Sequence, residues 1–294
     1  MSPEKSVIMV VNPISGDRDK AEFTMAAQTY AEAAGINLTI YETTGEDDID
    51  KIARLYEKQK PQRVLVAGGD GTIKMVADAL EKQDVILGIL PAGSANGLSV
   101  DLGFPTTIAE NVHIAFENDF MEIDMVCINS HKSLHLSDLG LNAEMIRNYE
   151  NSTIRGKIGY VLQGVTTLAD APVQFTAEIT ANGETISTEA KMIVIANSQK
   201  YGTGVVINPK GKMNDGKFEI VVLRNLDLLL VGKIVTGNMP LDSEDVEIIS
   251  CESATIRTDI PVHFQIDGEY VGEEQSLDIR ILPRQMKVAV PTAI

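Results

Sequence analysis

Basic charge is scarce in this chain: 25 Lys and Arg stand against 42 Asp and Glu, a formal net charge of −17 at pH 7. Such a balance repels phosphate backbones and anionic headgroups, so nucleic acid is not expected as a partner, and general attraction to an anionic surface cannot bring the protein to a membrane. Long apolar runs are missing too. The longest, around Val85 to Leu90 and Leu226 to Val231, fall well short of the ~18 residues that span a bilayer and read as buried strand or helix pieces. Cysteine is limited to Cys127 and Cys251, set in apolar or mixed stretches without a CxxC pattern or a histidine neighbour. These are read as buried free thiols and not as a metal or redox site. The four histidines, His113, His131, His135 and His263, show no metal-ligand spacing. The first residues, Met1 to Ser6, lead straight into a strand without the basic-then-apolar layout of a signal peptide, so a cytoplasmic location is expected.

What the sequence does contain is ordinary globular composition, 44% hydrophobic and 23% charged over 294 residues. Wholesale disorder and fibrous repeats are excluded. Domains usually run ~100–200 residues, so two are expected. A homodimer stays open, since nothing in the pattern fixes the oligomeric state.

The first 125 residues alternate apolar strand-like runs with helix-period segments. Val7 to Val11, Asn37 to Glu42, Arg63 to Ala67 and Ile86 to Leu90 read as strands; Lys20 to Ala34, Asp47 to Gln59 and Thr72 to Lys82 read as helices. This alternation predicts an α/β N-terminal domain, residues 1–125, with a parallel sheet covered by helices on both faces. Ligands of such sheets bind at the carboxyl ends of the strands. From about Val126 the texture becomes β-rich. Gln174 to Thr180, Thr185 to Ser187 and Ala190 to Ala196 alternate, and Asn182-Gly183 between the first two is a hairpin signal because both positions tolerate positive φ. Residues 126–294 are therefore expected to form a β-rich antiparallel sandwich C-terminal domain, with candidate helices at Gly156 to Leu168 and Leu226 to Thr236.

The strongest local feature is Val64-Leu65-Val66-Ala67-Gly68-Gly69-Asp70-Gly71-Thr72, a buried strand entering glycines and then a helix. Glycines permit close backbone approach, and amides at a helix start receive phosphate oxygens. A plain strand-to-helix turn capped by Asp70 is the simpler reading, and the glycines around an acid and a hydroxyl weigh against it. Asn12-Pro13-Ile14-Ser15-Gly16 follows the first strand and Pro91-Ala92-Gly93-Ser94-Ala95-Asn96-Gly97 the fourth. Each alone is common turn chemistry. Together the three loops line one crevice suited to a nucleotide polyphosphate.

At these loops the sequence resembles the diacylglycerol kinase catalytic family, which includes bacterial lipid kinases and sphingosine kinases. The family motifs NPxxG, GGDGT and PxGS/T-x-N occur in order. The resemblance continues through Glu122-Ile123-Asp124-Met125, similar to the family's linker acid, and Ser137 to Glu144, similar to its "GfdaeV" segment. Asn214-Asp215-Gly216-Lys217-Phe218 is similar to its "DG.L" turn, and Ile266-Asp267-Gly268-Glu269 to its DGE signature. On turn chemistry alone Asp267-Gly268-Glu269 reads as a surface hairpin turn.

The resemblance implies a NAD kinase/phosphofructokinase-like α/β fold and transfer of the terminal phosphoryl group of ATP to a lipid hydroxyl, with Mg²⁺ and a group positioning the acceptor. By matched position, Asn12, Pro13, Ser15, Gly16, Thr44, Gly68, Gly69, Gly71, Thr72, Gly93, Ser94 and Asn96 would bind ATP. Asp70 would hold Mg²⁺ through water or orient the lipid hydroxyl, Glu269 and Asp70 are rival general bases, and Asp124 would lie near the lipid headgroup. Asp215, with backbone carbonyls of Lys212 and Lys217, would form a structural Mg²⁺ site, although an ordinary β-turn accounts for the same residues. The lipid would be reached at the membrane surface by a peripheral protein.

Two positions depart from the bacterial pattern: Met75 replaces the acid of GGDGTxxE, and Gly97 ends the GTxND loop. Sphingosine kinase relatives share a small residue at the Gly97 position; Met75 puts a polar contact to the nucleotide in doubt. Rival readings are a NAD kinase-like enzyme sharing GGDGT, and a catalytically impaired relative that binds lipid or nucleotide without turnover. Asp70→Asn is expected to abolish turnover with the fold intact, since it removes a loop charge and no core volume.

Overall fold

The computed structural model describes residues 5–16, 19–94, 96–150, 174–201, 205–226, 233–234, 239 and 243–292. They fall into two compact units. The first comprises residues up to Asp124 and from Pro283 onward; the second comprises Met125–Tyr201 and Val205–Leu282.

In the first unit, strands β1 (Ser6–Val11), β2 (Asn37–Glu42), β3 (Arg63–Gly68) and β4 (Ile86–Pro91) alternate with helices α1 (Lys20–Ala34), α2 (Asp48–Gln59) and α3 (Asp70–Ala79). All pairings are parallel, β1 lying between β2 and β3, and β3 beside β4. Strand order reverses at β1: the chain runs outward to β2, then returns to the other side of β1 for β3. The loops after β1 and β3 thus flank a topological switch point, where ligands of open α/β sheets bind. Burial is nearly continuous along β1, β3 and β4, as expected for parallel strands covered on both faces. Val7, Met9, Val11, Leu65 and Leu90 pack with Phe23, Ala27 and Ala31 of α1 and with Val112, Ala115 and Phe116 of α5 (Ile108–Glu117).

The helix ends are encoded locally. Asp19 caps α1 by accepting from the Ala21 N–H at 2.8 Å, and Gly35, at φ 65°, ends it by donating to carbonyls of the last turn. α3 stops at Ala79, three residues before the Lys82 expected from periodicity. Helices α4 (Gly97–Asp101) and α5 were not expected. For α5 the signal was present as Thr107-x-x-Glu110, whose threonine hydroxyl accepts from the Glu110 N–H at 3.4 Å. The expected division at residue 125 put the C-terminus in the second domain, whereas Lys287 and Val288 pair in parallel with Ile86 and Leu87 of β4 and group with the first unit. They lie in the long strand β14 (Glu269–Ala289), where no change of composition marks the crossing.

The second unit is β-rich. It holds the last four residues of β5 (Phe120–Ile128), β6 (His131–Ser133), β7 (Leu136–Gly140), β8 (Phe175–Ala181), β9 (Glu184–Ala190), β10 (Met192–Ala196), β11 (Phe218–Leu223), β12 (Val246–Cys251) and β13 (Ser253–Ile266), with helix α6 (Leu141–Glu150). Strands β12, β11, β10, β7 and β13 lie side by side in antiparallel pairing, β14 pairs with β13, and β8 carries β9 on the other side. The Asn182-Gly183 turn has φ of 54° and 80° and joins β8 to β9, as the dipeptide signalled. Strand β8 alternates buried and open positions, whereas β10 is buried throughout. The candidate helix at Gly156 to Leu168 lies outside the described residues, as does most of that at Leu226 to Thr236. Among the described residues no helix is long and apolar enough to cross a membrane.

Candidate functional site

The three glycine-containing loops of the first unit meet at the carboxyl ends of β1, β3 and β4. The Asn12 N–H donates to the Ala67 carbonyl at 3.0 Å, and the Ala92 N–H to the Gly68 carbonyl at 3.0 Å, so each loop leaves its strand in register with its neighbour. The Asn12 carboxamide then donates to the Thr72 hydroxyl at 3.1 Å while its oxygen accepts from the Ile14 N–H at 3.2 Å. Contact between backbones is closest at the glycines. A Cβ on Gly16 would lie 2.5 Å from the Gly93 carbonyl carbon, and one on Gly93 would lie 2.4 Å from the Gly69 Cα. Side chains at these positions would force the loops apart, so glycine is required by packing there and not only by turn conformation.

Asp70 opens α3 and spans to the third loop. Its Oδ2 accepts from the Gly97 N–H at 2.6 Å and its Oδ1 from the Leu98 N–H at 3.0 Å. A fixed negative charge thereby sits against the first turn of α4, where helix amides favour it. Asn96, at φ 53°, bends the chain into α4, and its carboxamide closes on Gly93, accepting from the N–H and donating to the carbonyl, both at 2.8 Å. The cap position of α3 is Gly69, which offers no side chain to the first-turn amides. That leaves a phosphate oxygen a natural acceptor role there. Met75, on α3, is half-buried, and Gly97 is buried.

The ATP-binding expectation thus divides. Gly16, Gly68, Gly69, Gly93, Asn12, Asn96 and Thr72 are brought together, with Thr72 at 5% exposure serving as scaffold for Asn12. Pro13, Ser94 and Gly71 are exposed on the same loops, and the Ser15 hydroxyl donates to the Asn12 carbonyl at 3.1 Å. Thr44 lies on the loop after β2. Its N–H and hydroxyl both reach Asp48 Oδ1, at 3.0 and 3.3 Å, and its hydroxyl accepts from Lys51 Nζ at 3.1 Å. Asp48 also accepts from the Gly45 N–H at 2.7 Å and the Tyr41 hydroxyl at 2.5 Å. Burial raises the Asp48 carboxyl, but these hydrogen bonds outweigh it and leave the group below the usual carboxylate range.

Sequence reasoning passed over Lys20. This first residue of α1 is 8% exposed, and its ammonium donates to the Ser15 and Gly16 carbonyls, which places a buried cation beneath the first loop. The signal was a lysine just beyond the NPxxG segment at a helix start, where the dipole disfavours a cation without a local reason. An open, mainly polar cavity of about 500 Å³ lies beside it, lined by Pro13, Gly16, Lys20, Thr24, Met25 and Glu42 among others, within the size range of small-molecule sites.

Asp124 is 1% exposed and accepts from the Arg284 N–H at 2.7 Å. Arg284 has φ of 52°, so this carboxylate holds an unusual bend in β14. The side chain is therefore not the solvated residue at a strand end that its position in the sequence alone suggests.

In the second unit, Asp267-Gly268 forms the two-residue turn between β13 and β14, with φ of 51° and 89° and Ile266 paired with Glu269. That is the hairpin geometry of a type I′ turn. The Asp267 carboxylate accepts from the Ser133 hydroxyl and the Leu134 and His135 N–H groups, at 2.9, 2.9 and 2.8 Å. Glu269 is exposed. Asp215, Lys212 and Lys217 are exposed as well, and Asp215 accepts from the Lys217 N–H at 3.1 Å, which closes the turn on itself. Among the described residues no three His, Cys, Asp or Glu side chains gather as metal ligands.

Sequence reasoning also missed a buried polar group behind the Asp267-Gly268 turn. Asp138 of β7 is fully buried, and its Oδ2 accepts from Asn142 at 2.7 Å, Tyr201 at 3.1 Å and the Gln265 amide. Burial pushes its carboxyl up to about 6 against the opposing effect of those donors. Beside it, Arg147 donates to His263 Nε2 at 2.7 Å. A guanidinium only donates, so Nδ1 carries the proton and donates to the Tyr270 hydroxyl at 2.9 Å. Burial and then Arg147 lower the His263 pKa, which favours this neutral tautomer.

Comparison with known proteins matches the geometry. Residues 6–128 fit the family model of the diacylglycerol kinase catalytic domain, and residues 137–290 fit that of the YegS C-terminal NAD kinase beta sandwich-like domain. The diacylglycerol kinase of Bacillus subtilis strain 168 is 25% identical over 280 residues, covering 91% of each chain. Lipid kinase YegS of Escherichia coli K12 is 24% identical over 266 residues, covering 87% of each. The fold is shared with a crystal structure of a diacylglycerol kinase from Bacillus anthracis strain Sterne, at a TM-score of 0.76 and 20% identity over 100% of both chains.

Proposed function

The chain belongs to the diacylglycerol kinase catalytic family, and on that premise we propose that it is an ATP-dependent lipid kinase, transferring the terminal phosphoryl group to a hydroxyl of a diacylglycerol-, sphingoid- or phosphatidylglycerol-like lipid. The observation that carries this reading is the interlock of Gly16, Gly69 and Gly93, a cradle that a single Cβ would fill. Such a cradle offers backbone amides to a polyphosphate and excludes bulk from its path. Asn12 and Asn96 fix the two outer loops from within, and Lys20 places positive charge under the first.

Mg²⁺, when bound with ATP, offsets the phosphate charge and stabilises what develops during transfer. Asp70 is the residue in the cradle suited to hold it through water: its oxygens are fixed by Gly97 and Leu98, and each retains a lone pair. Because those oxygens are committed to two amides, we assign the proton-accepting role to Glu269, which is exposed and follows a rigid turn. The Asp215 turn receives no step, since its carboxylate caps Lys217.

The test is incubation of the purified protein with ATP labelled in the γ-phosphate against diacylglycerol, sphingosine, ceramide and phosphatidylglycerol, with NAD beside them. Label in one of the lipids is expected. Labelled NADP would replace the lipid reading with a NAD kinase-like one. Retained ATP binding with every acceptor unlabelled would instead support a relative impaired through Met75 and Gly97.

A further inference from the structure

Glu269 directly follows Gly268, which lacks a side chain to fix it and is exposed. In a two-residue hairpin the N–H of the second turn position is not part of the ladder between the strands. Here the Gly268 N–H donates to the Gln265 Oε1 at 2.7 Å. Gln265 is 1% exposed and sits directly across from Asp138 in the β13–β7 register. Asp138 Oδ2 already accepts from Asn142 and Tyr201, so it takes the amide nitrogen of Gln265, and the amide oxygen is left facing Gly268. An amide bonded at one end only could turn over and present its nitrogen to the turn. The carboxylate removes that freedom. On the far side of Glu269, Tyr270 is held by His263 at 2.9 Å, and Asp267 before it by three donors.

We propose that Gln265, its amide oriented by Asp138, is a positioning residue that holds the Gly268 N–H and thereby sets where the Glu269 carboxylate stands. The role rests on the kinase reading, in which Glu269 accepts the hydroxyl proton. It adds a second layer to the DGE segment, in which a residue two positions before it is oriented by Asp138, 127 residues away. Methionine at this position keeps the volume and length of glutamine and removes both hydrogen bonds, which makes Gln265→Met the informative change.

The experiment has a structural and a kinetic part. Amide exchange in the unaltered protein, followed residue by residue by NMR, should show the Gly268 N–H protected despite its exposed position, and Gln265→Met should release it. Exchange of Gly268 at the rate of an open turn in the unaltered protein overturns the proposal without any variant. In vesicles containing diacylglycerol, with ATP as donor, Gln265→Met should lower kcat by ~10- to 100-fold, the scale of a misplacement of about 1 Å, with KM for ATP unchanged. In a Glu269→Gln background the same change should lower kcat no further, because both act through one group. An equal loss in both backgrounds means Gln265 acts elsewhere and overturns the proposal. If Glu269→Gln alone keeps the full kcat, the base assignment fails, and Gly268 exchange still decides whether Gln265 holds the turn.

Discussion

Alanine at Gly93 tests how far the cradle depends on backbone contact. A Cβ there would stand 2.4 Å from the Gly69 Cα, while ordinary Cβ contacts begin near 3.4 Å, so the two loops must part by about 1 Å. The nearest atom met is backbone, which cannot swing aside as a side chain would. Displacement of that size costs ~10²-fold where groups must be aligned for reaction, equivalent to about 2.7 kcal/mol. Overpacking adds ~1–3 kcal/mol of lost stability. Gly69→Ala meets the Gly93 Cα at 3.2 Å and needs only a small shift. Gly103→Ala meets open space at φ +70°, so it pays the left-handed strain of ~1–2 kcal/mol and nothing at the loops. Calorimetric titration with ATP, beside urea unfolding of each variant, should therefore rank ATP binding as Gly103→Ala equal to the parent, Gly69→Ala slightly weaker and Gly93→Ala weakest by far. Equal ATP affinity in Gly93→Ala and the parent would refute the claim that this contact shapes the site.

Asp70→Asn should lose activity and also stability, contrary to what its loop position suggests. A carboxamide oxygen can satisfy only one of the Gly97 and Leu98 amides, and a lost charged hydrogen bond costs about 2 kcal/mol, readable as a lower urea midpoint. Lys20→Met leaves the Ser15 and Gly16 carbonyls without their buried donor, so ATP affinity should fall and unfolding should come ~1–3 kcal/mol sooner. Asp138 predicts a pH dependence of stability. Its folded pKa of about 6 lies above the ordinary carboxylate value of 3.8, so the folded state binds the proton more tightly and its contribution to stability declines as pH rises from about 4 to 6. At 1.36 kcal/mol per unit the decline is on the order of 3 kcal/mol, and it should be missing in Asp138→Asn when unfolding is followed across that range. A contribution that grows with pH in this window would contradict the buried environment described for the group.

Much of the fold was legible because it is written in short-range chemistry. The apolar runs of β1, β3 and β4 mark strands buried on both faces, and Asn182-Gly183 and Asp267-Gly268 mark turns that need positive φ. The three loops of the candidate site were legible for the same reason: glycine and asparagine cluster where backbone must pass close to backbone or bend left-handed. What sequence reading missed depends on distance along the chain. Asp70 meets amides 27 and 28 residues away, and Gln265 meets Asp138 across 127 residues; no window of sequence contains both partners. Asp124 is a further case, since a lone acid at a strand end gives no sign that it is buried against Arg284, 160 residues on. The return of residues beyond Pro283 to the first unit was hidden in a strand whose pattern does not change where its partners do.

The proposed function stands or falls with delivery of the terminal phosphoryl group of ATP from the cradle to a lipid. It is tested most directly by giving the protein ATP labelled either at the α- or at the γ-phosphate together with lipid vesicles, and extracting the lipid. Label is expected in the organic phase from γ-labelled ATP alone, abolished by Asp70→Asn and by Gly93→Ala. Label arriving from the α-position, or none from either while the parent protein binds ATP, would contradict it.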